Sequence, residues 1–157
     1  MARTPERYGE DVERALSLWV VLTRSTNAVT RRIHEHIRSL GFSGTEWGVL
    51  EYLYHKGPQP MCNVGEKILI TSGSVTYVID KLESRGLLKR RPCEQDRRVV
   101  YAELTEAGRA VMEADFPKHA QVIKETMDVL TPEEQETAIA LLKKLGLSVA
   151  SEAGSRG

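Results

Sequence analysis

The apolar residues between Ser72 and Leu104 change their spacing once, and this change restricts the folds that the chain can adopt. In the first half, four of them recur at the helical spacing i, i+3, i+4 and i+7, namely Val75, Val78, Ile79 and Leu82. Gly86 ends this pattern, because glycine is common just beyond the end of a helix. Two extended runs then surround a polar loop that contains Pro92, which predicts a β-hairpin.

A short helix precedes this pair of elements. It is predicted from about Asn63 to about Leu69, because Asn63 and Glu66 have the spacing of a helix cap. Residues 71–73 form the predicted connection to the next helix. Two helices joined by a turn of about three or four residues are typical of a helix-turn-helix. The hairpin that follows is then its wing.

Long helices flank this unit on both sides. A first helix is predicted from about Val12 to Leu40, where Gly41 ends it. A second begins with Ser43 and Glu46, which have capping-box spacing.

Two further helices follow the wing. Thr105 caps one that runs toward Val129, and Pro117 is expected to kink or interrupt it because proline lacks a backbone donor. The last helix begins at Thr131 with a second capping box, and its end is expected to fray after Gly146.

The predicted fold is therefore mainly α with a small β-hairpin wing (α+β), a winged helix-turn-helix with N- and C-terminal dimerisation helices. Residues 43–104 form the predicted DNA-binding domain, and residues 1–42 and 105–157 form a helical dimerisation region. The terminal helices carry more apolar surface than so small a domain needs for its core, and exposed apolar stripes are unfavourable. A second copy of the chain would cover them, although the helices could also fold back on a monomer.

Charge is balanced over the chain but not along it. The 157 residues include 22 basic and 22 acidic side chains. The segment 72–98 has seven basic and four acidic residues, a net charge of +3, whereas the segment 105–152 has a net charge of −4. Such asymmetry is typical of a DNA-facing surface, although chance surface charge explains it about as well.

The sequence gives little support to other classes of protein. No apolar run approaches the roughly 20 residues of a membrane span, and the N-terminus lacks an apolar signal core, so a cytoplasmic protein without a membrane partner is expected. Two cysteines make neither a disulfide scaffold nor a four-ligand zinc site. No metalloprotease, nucleophile-elbow or phosphate-loop motif is present, and we predict no enzyme activity, cofactor or metal. A winged helix used only for protein contacts is the remaining alternative.

The predicted recognition helix carries short polar side chains near its start. Ser72, Ser74, Thr76, Tyr77 and Lys81 lie outside its apolar stripe, and hydroxyl groups there can approach phosphates and base edges closely. Serine and threonine at such positions also act simply as helix caps.

The predicted wing adds two arginines. Arg97 and Arg98 lie at or near its tip, where a guanidinium can reach the negative potential of a minor groove. Asp96 would hold one of them by a charge-assisted hydrogen bond. The alternative is a solvated charge cluster.

These segments resemble the MarR family of bacterial regulators. The run from Ser74 to Leu88 is similar to the family's recognition helix, and residues 96–98 and 104–108 are similar to its wing and the exit into its dimerisation helix. The resemblance implies a winged-helix homodimer that binds a pseudo-palindromic operator in double-stranded DNA, usually as a repressor released by a small ligand or by thiol oxidation. By the same resemblance, Asp96 and Arg98 match the wing's positioning acid and its minor-groove arginine.

The sequence offers two alternative mechanisms for release from DNA. Cys93 follows two arginines, whose charge favours the reactive thiolate, and Cys62 precedes a helix; either could also be a small buried apolar residue. The other switch is a pocket for a small aromatic effector, with five candidate residues: Trp19, His34, Trp47, Tyr52 and Tyr54. The recognition helix is most similar to the branch of the family that responds to phenolic or quinone compounds.

Overall fold

The computed structural model describes residues 8–68 and 72–154, and it contains six helices and three short strands in these ranges. In chain order the elements are α1 (Glu10–Ser39), α2 (Gly44–Lys56), β1 (Gln59–Pro60), α3 (Met61–Lys67), α4 (Ser72–Ser84), β2 (Leu88–Pro92), β3 (Val100–Leu104), α5 (Glu106–Met127) and α6 (Pro132–Gly154). This confirms the predicted fold class, a mainly helical chain with a winged helix-turn-helix. No helix in the described ranges is long and apolar enough to cross a membrane.

The sheet is built around β3, which pairs antiparallel with β1 on one side and β2 on the other. The hairpin register places Leu88 opposite Leu104 and Arg90 opposite Ala102, so the predicted wing is confirmed. Gln59 pairs with Ala102 from the other side. The sequence did not predict β1, because a strand of two residues has no period of its own and forms only by pairing with a distant segment.

Residues 1–119 form one compact unit and contain the hydrophobic core. Helix α2 contributes the fully buried Trp47, Leu50 and Leu53. Ile79 of α4 is also fully buried, and Met112 of α5 is covered in the same core cluster. Helix α4 is therefore packed against a closed apolar core within one chain.

Residues 120–157 form the second compact unit, which includes the end of α5 and the whole of α6. The turn between these helices is held by the predicted capping box at Thr131. The Thr131 N–H donates to Glu134 Oε2 at 2.8 Å, and the Glu134 N–H donates to Thr131 Oγ1 at 3.3 Å. The Gln135 side-chain amide also donates to the carbonyl of Leu130 at 3.0 Å.

The predicted caps of α2 and α5 also have matching contacts. Ser43 and Glu46 form both hydrogen bonds of a capping box at the start of α2. Thr105 Oγ1 accepts the Gly108 N–H at 3.1 Å and donates to the Gly86 carbonyl at 2.6 Å, which joins the start of α5 to the end of the recognition helix. Gly57 ends α2 with a positive φ of 72°.

Several element boundaries differ from the prediction. Helix α3 begins at Met61 rather than Asn63, directly after Pro60 and without a side-chain cap. Helix α4 already begins at Ser72, inside the predicted connection, and residues 69–71 lie outside the described ranges. Cap spacing for α3 and apolar periodicity for α4 therefore located both helices but misplaced their starts by about two residues.

The two C-terminal helices are more continuous than predicted. Helix α5 passes through Pro117 without interruption, because the half-buried Phe116 and the buried Met112 and His119 anchor it to the core, which offsets the missing backbone donor. Helix α6 continues past Gly146 to Gly154 instead of fraying. A single helical glycine costs only about 1 kcal/mol relative to alanine, and the residues around it are good helix formers.

Candidate nucleic-acid interface

Helix α4 has a buried face and an exposed face. Val75, Val78, Ile79 and Leu82 are buried, and this confirms the apolar stripe that the sequence indicated. Ser74, Thr76 and Tyr77 are exposed, and the Tyr77 ring is 66% accessible. The predicted contact through the Ser72 side chain lies outside the described side chains. The exposed face thus presents two hydroxyl groups and a phenol.

The wing loop holds one of its two arginines in a defined orientation. Asp96 Oδ1 accepts hydrogen bonds from the backbone N–H of Arg98 at 3.0 Å and from its Nε at 3.1 Å, and Oδ2 accepts one from Nη2 at 3.3 Å. These hydrogen bonds lower the pKa of the Asp96 carboxyl. The Arg98 side chain is nevertheless 90% accessible. Arg97 is also exposed in this loop.

Arg90 links the wing to the recognition helix. Its guanidinium lies on β2 and donates to Asp80 Oδ1 at 2.5 Å and to Glu83 Oε2 at 3.0 Å, both on α4. The hydrogen bond to Asp80 is the main reason that the pKa of Arg90 is raised. The pairing offsets one of the two negative charges of Asp80 and Glu83, which repel phosphates. The sequence indicated Arg90 as part of the basic segment and as a charge near Cys93, but not as a partner of α4.

Lys81 is paired with an acid from another helix. Its ammonium lies 2.6 Å from Oε1 of Glu46, a residue of α2 that is only 3% accessible. The hydrogen bond to Glu46 raises the pKa of Lys81. The sequence predicted Lys81 as a DNA contact and Glu46 only as a helix cap. In the absence of DNA, Lys81 instead joins α4 to α2.

Glu46 receives further contacts at the same place. Burial alone would raise the pKa of its carboxyl, but the hydrogen bonds from Lys81 and from the Ser43 N–H, together with the charges of Lys81 and Arg85, lower it. Arg85 Nη1 lies 3.7 Å from Glu46 Oε2 and 3.2 Å from the Gly41 carbonyl oxygen, and its guanidinium lies 4.3 Å from the centre of the Phe42 ring. The end of α4 is thus tied to the loop between α1 and α2.

Comparison with known proteins supports this interpretation. The family model of the MarR family matches residues 42–100, from the residue before Ser43 into the first residue of β3. The HTH-type transcriptional regulator MhqR of Bacillus subtilis is 45% identical over 136 residues, which cover 87% of this chain and 94% of MhqR.

The chain belongs to the MarR family. Like the relatives that carry the name of transcriptional regulators, it is a DNA-binding regulator of transcription.

Solved structures of MarR regulators share the fold. AbsC of Streptomyces coelicolor has a TM-score of 0.82 at 22% identity, covering 92% of this chain and 99% of AbsC. Sco3205 of the same organism, in complex with DNA, has a TM-score of 0.78 at 21% identity, covering 85% and 90% of the two chains. BpsR of Bordetella bronchiseptica, whose DNA binding is regulated by 6-hydroxynicotinic acid, has a TM-score of 0.73 at 27% identity, covering 83% and 98%.

The two cysteines of this MarR regulator have different surroundings. Cys62 is exposed at the start of α3, with Sγ 3.6 Å from Asn63 Oδ1, and it borders two cavities. One, of about 270 Å³, also contacts Arg98 of the wing, and the other, of about 290 Å³, also contacts Thr76 of α4. Cys93 is half-buried in the wing and borders a third cavity, of about 290 Å³.

The five residues predicted for an aromatic effector lie on α1 and α2 in different surroundings. Trp19 is 65% accessible and His34 is also exposed, whereas Trp47 is buried in the core. The Tyr52 hydroxyl donates to Gln59 Oε1 at 3.3 Å, and Tyr54 packs against the rings of His55 and Phe116.

A buried polar cluster around Trp47 was not foreseen. The ring of His119 on α5 lies 5.0 Å from that of Trp47 and 5.7 Å from that of His36 on α1. Trp47 Nε1, His36 Nε2 and His119 Nδ1 are buried without a hydrogen-bond partner in the described part of the chain. Burial lowers the pKa of His119, although Glu51, 3.9 Å away, opposes this. No local pattern relates His36 to His119, so only the fold brings them together.

Proposed function

We propose that this MarR regulator is a homodimeric repressor that reads a pseudo-palindromic operator and leaves it when a small aromatic ligand binds. Residues 43–104 act as the DNA-binding domain, and residues 1–42 and 105–157 act as the dimerisation region. The observation that carries the proposal is an exposed polar face on α4 whose acidic neighbours are paired with Arg90, together with an arginine held by Asp96 on the wing.

On DNA, each part of this surface has its own role. Ser74, Thr76 and Tyr77 enter the major groove, where short hydroxyl side chains reach phosphates and base edges. Arg97 and Arg98 reach the adjacent minor groove, whose negative potential attracts guanidinium groups. Asp96 reduces the freedom that Arg98 must lose on binding, because the hydrogen bonds already orient it.

The experiment is to select bound fragments from the source genome with purified protein and to measure the affinity of the selected duplex at several salt concentrations. A steep salt dependence is expected because phosphate contacts release counterions. Arg98→Ala should weaken binding to all duplexes to a similar extent. Arg109→Ala, which removes the same charge from the exposed surface of α5, is the matched control. An Arg98→Ala variant that binds as tightly as the wild type would overturn the role of the wing.

The homodimer is supported by apolar surface that the single chain leaves uncovered. On α1, Leu16 is 46% and Trp19 is 65% accessible, and on α6, Leu141 is 62% and Leu147 is 70% accessible. Exposed large apolar side chains on a helix face are characteristic of protein interfaces. A two-fold axis would also bring two recognition helices about one DNA turn apart, roughly 34–36 Å.

Release by an aromatic ligand is supported by the buried polar cluster of His36, Trp47 and His119. Unpaired buried polar atoms are unfavourable, and a ligand with carboxylate or hydroxyl groups would satisfy them. The regulation of BpsR by 6-hydroxynicotinic acid is a precedent for such a ligand in a relative. The ligand would act by favouring the conformation that cannot span both half-sites.

A panel of hydroxylated aromatic acids, with 6-hydroxynicotinic acid included, tests this release on the operator complex. His119→Leu should weaken release without weakening DNA binding, whereas His34→Gln should respond like the wild type if the ligand contacts the buried cluster. The opposite pattern would favour the pocket around His34. No release by any member of the panel, with the complex intact, contradicts an aromatic effector.

Thiol modification is the second candidate switch, because Cys62 borders cavities that also contact Arg98 and Thr76. An adduct there would lie beside the proposed DNA-binding surface. Exposure to peroxide or a quinone should then release the wild type but not Cys62→Ser. Cys93→Ser is the matched variant and tests the half-buried wing thiol in the same way.

A further inference from the structure

Glu46 is a buried carboxylate with more partners than a helix cap requires. Its backbone N–H donates to Ser43 Oγ at 3.1 Å, and its Oε2 accepts a hydrogen bond from the Ser43 N–H at 2.8 Å. The same carboxylate lies 2.6 Å from the Lys81 ammonium and 3.7 Å from the Arg85 guanidinium. A charge that is 3% accessible is strongly disfavoured unless it is paired, so these cations are part of what keeps it ionised inside the fold.

Both cations belong to the end of the recognition helix. Lys81 lies in the last turn of α4, and Arg85 directly follows its last residue. Arg85 also reaches the Gly41 carbonyl and the Phe42 ring in the loop before α2. The end of α4 is thus held by ion pairs with Glu46 at the start of α2 and by a hydrogen bond to the Gly41 carbonyl, in addition to its apolar packing.

Apolar packing and polar contacts constrain a helix differently. The close packing of Val78, Ile79 and Leu82 holds α4 against the core, although each of these contacts is non-directional. The ion pairs with Glu46 depend on distance, and the hydrogen bond from Arg85 to Gly41 depends also on direction, so together they restrict the end of α4 further. A displacement of about 1 Å at the reading face would be enough to misplace groups that must meet base edges within hydrogen-bond distance.

We propose that Glu46 is a positioning residue for DNA recognition, which orients α4 through Lys81 and Arg85 so that its exposed face matches the operator. The proposal rests on the reading of a specific operator by α4. Under this proposal, Lys81 acts chiefly as the partner of Glu46 rather than as a phosphate contact.

Whether DNA affinity rises or falls when the Glu46 carboxylate is removed distinguishes a positioning role from simple charge repulsion. A carboxylate near DNA repels phosphates, so its removal should by itself strengthen binding to every duplex. If Glu46 positions α4, its removal should weaken binding to the operator alone. The ratio of operator affinity to scrambled-duplex affinity is therefore the informative quantity.

Glu46→Gln is the variant of choice, because glutamine at the third helical position still completes a capping box while the ion pairs are lost. Glu35→Gln is the matched control, since it removes the same charge from an exposed position of α1. Both variants and the wild type are measured on the selected operator duplex and on a scrambled duplex, with thermal unfolding recorded in parallel.

For Glu46→Gln, operator affinity should fall by about 10-fold while scrambled-duplex affinity stays equal or rises slightly, so that the affinity ratio falls by about 10-fold or more. Glu35→Gln should leave the ratio unchanged. The proposal is overturned if the Glu46→Gln ratio equals that of the wild type, or if both affinities rise together.

Lys81→Gln keeps the proposal testable if Glu46→Gln does not fold. Positioning predicts that Lys81→Gln also lowers the affinity ratio, and that its salt dependence stays that of the wild type. A uniform loss of affinity with a salt slope smaller by about one phosphate contact would instead make Lys81 a phosphate ligand and contradict the proposal.

Different results would refute operator reading by α4 and the positioning role of Glu46. If the wild type prefers no duplex over a scrambled one, operator reading by α4 is refuted together with everything that rests on it. If the wild type discriminates and Glu46→Gln discriminates equally well, only the role of Glu46 is refuted.

Discussion

The winged helix and the last helix contain similar amphipathic patterns, but their apolar faces differ in how far the chain itself buries them. In α4, Ile79 and Leu82 of the apolar stripe are 0% accessible, covered by the core of the same chain. In α6, Leu141 and Leu147 are 62% and 70% accessible. An amphipathic pattern therefore identifies a helix with a face to bury, but it does not say which molecule buries it.

This contrast separates two kinds of residue. Substitutions in the closed core should act on folding, whereas substitutions on the open faces of α1 and α6 should act on association and, through it, on operator binding. Four experiments test the contrast, beginning with the largest expected effect.

The first substitution places a charge on the open face of α6. Leu142→Glu should give a protein that runs as a single subunit, because Leu142, 52% accessible in the single chain, would otherwise be covered by the partner. Operator affinity should fall by a factor on the order of 100 or more, because two linked half-site contacts become independent. Size-exclusion chromatography with light scattering and an operator titration measure the two effects.

Lys143→Glu, which places the same acid on the neighbouring exposed position, should remain a dimer. A Leu142→Glu protein that stays dimeric and keeps its operator affinity would show that α6 does not contribute to the interface.

The second substitution opens the closed core. Leu50→Ala should lower the free energy of unfolding by about 3 kcal/mol, because Leu50 is 0% accessible and its loss leaves a cavity. Tyr77→Ala, on the exposed face of α4, should change the free energy of unfolding by less than about 0.5 kcal/mol but should weaken operator binding. Urea denaturation measures both; equal destabilisation by the two variants would contradict the division between core and reading face.

The third experiment compares two glycines, one in each region. A Cβ at Gly108 would lie 2.1 Å from the Leu87 carbonyl oxygen, whereas a Cβ at Gly146 would meet nothing within 4 Å in the single chain. Gly108→Ala should therefore destabilise the protein by about 2 kcal/mol, since backbone cannot move aside easily. Gly146→Ala should stabilise α6 by about 0.5–1 kcal/mol, since alanine is the better helix former.

Thermal unfolding at one protein concentration gives both values. A stable Gly108→Ala variant would be incompatible with the close approach at Leu87. A Gly146→Ala variant that loses the dimer would reveal close packing of a partner helix on that glycine.

The smallest expected effect concerns pH and the buried imidazole of His119. Because burial lowers its pKa in the folded state, the unfolded chain takes up the proton first as the pH falls below the ordinary value of about 6.5. Stability is therefore full above that pH and declines as the pH falls toward the folded-state pKa. The groups that face His119 are His36 on α1 and Glu51 on α2.

Between about pH 7.5 and about pH 5.5, the wild type should lose up to about 1 kcal/mol more stability than His119→Leu, which cannot be protonated there. His34→Gln, which removes an exposed histidine, should follow the wild type. A His119→Leu variant with the wild-type pH dependence would mean that another group titrates in this range.

Local signals in the sequence were enough to predict much of the secondary structure. The capping boxes at Ser43 and Thr131 depend on residues three positions apart, and the structure contains both sets of hydrogen bonds. The wing follows from a change of period, and its register is the simple pairing of two adjacent runs. Helix α5 was one exception, because it is not interrupted at Pro117 and the core contacts of Phe116 and His119 hold both sides of that residue.

Only part of the candidate site could be predicted from such local signals. The wing arginines and the exposed residues of α4 stand out as a charge pattern and a helical face, so the sequence could nominate them. The partners of Lys81 and Arg90 could not be predicted, because any acid in the chain can pair with a lysine or arginine until the fold selects one.

The amino-acid sequence alone therefore determined the helices, the caps of α2, α5 and α6, the wing and the family to which the chain belongs, since each depends on neighbours within a few residues or on a contiguous motif. Only the tertiary structure decided that Glu46 pairs with Lys81 of α4, that Arg90 pairs with the acids of α4, and that His36, Trp47 and His119 share one cluster. These contacts join residues far apart along the chain, and their energies exist only after the core has brought the elements together.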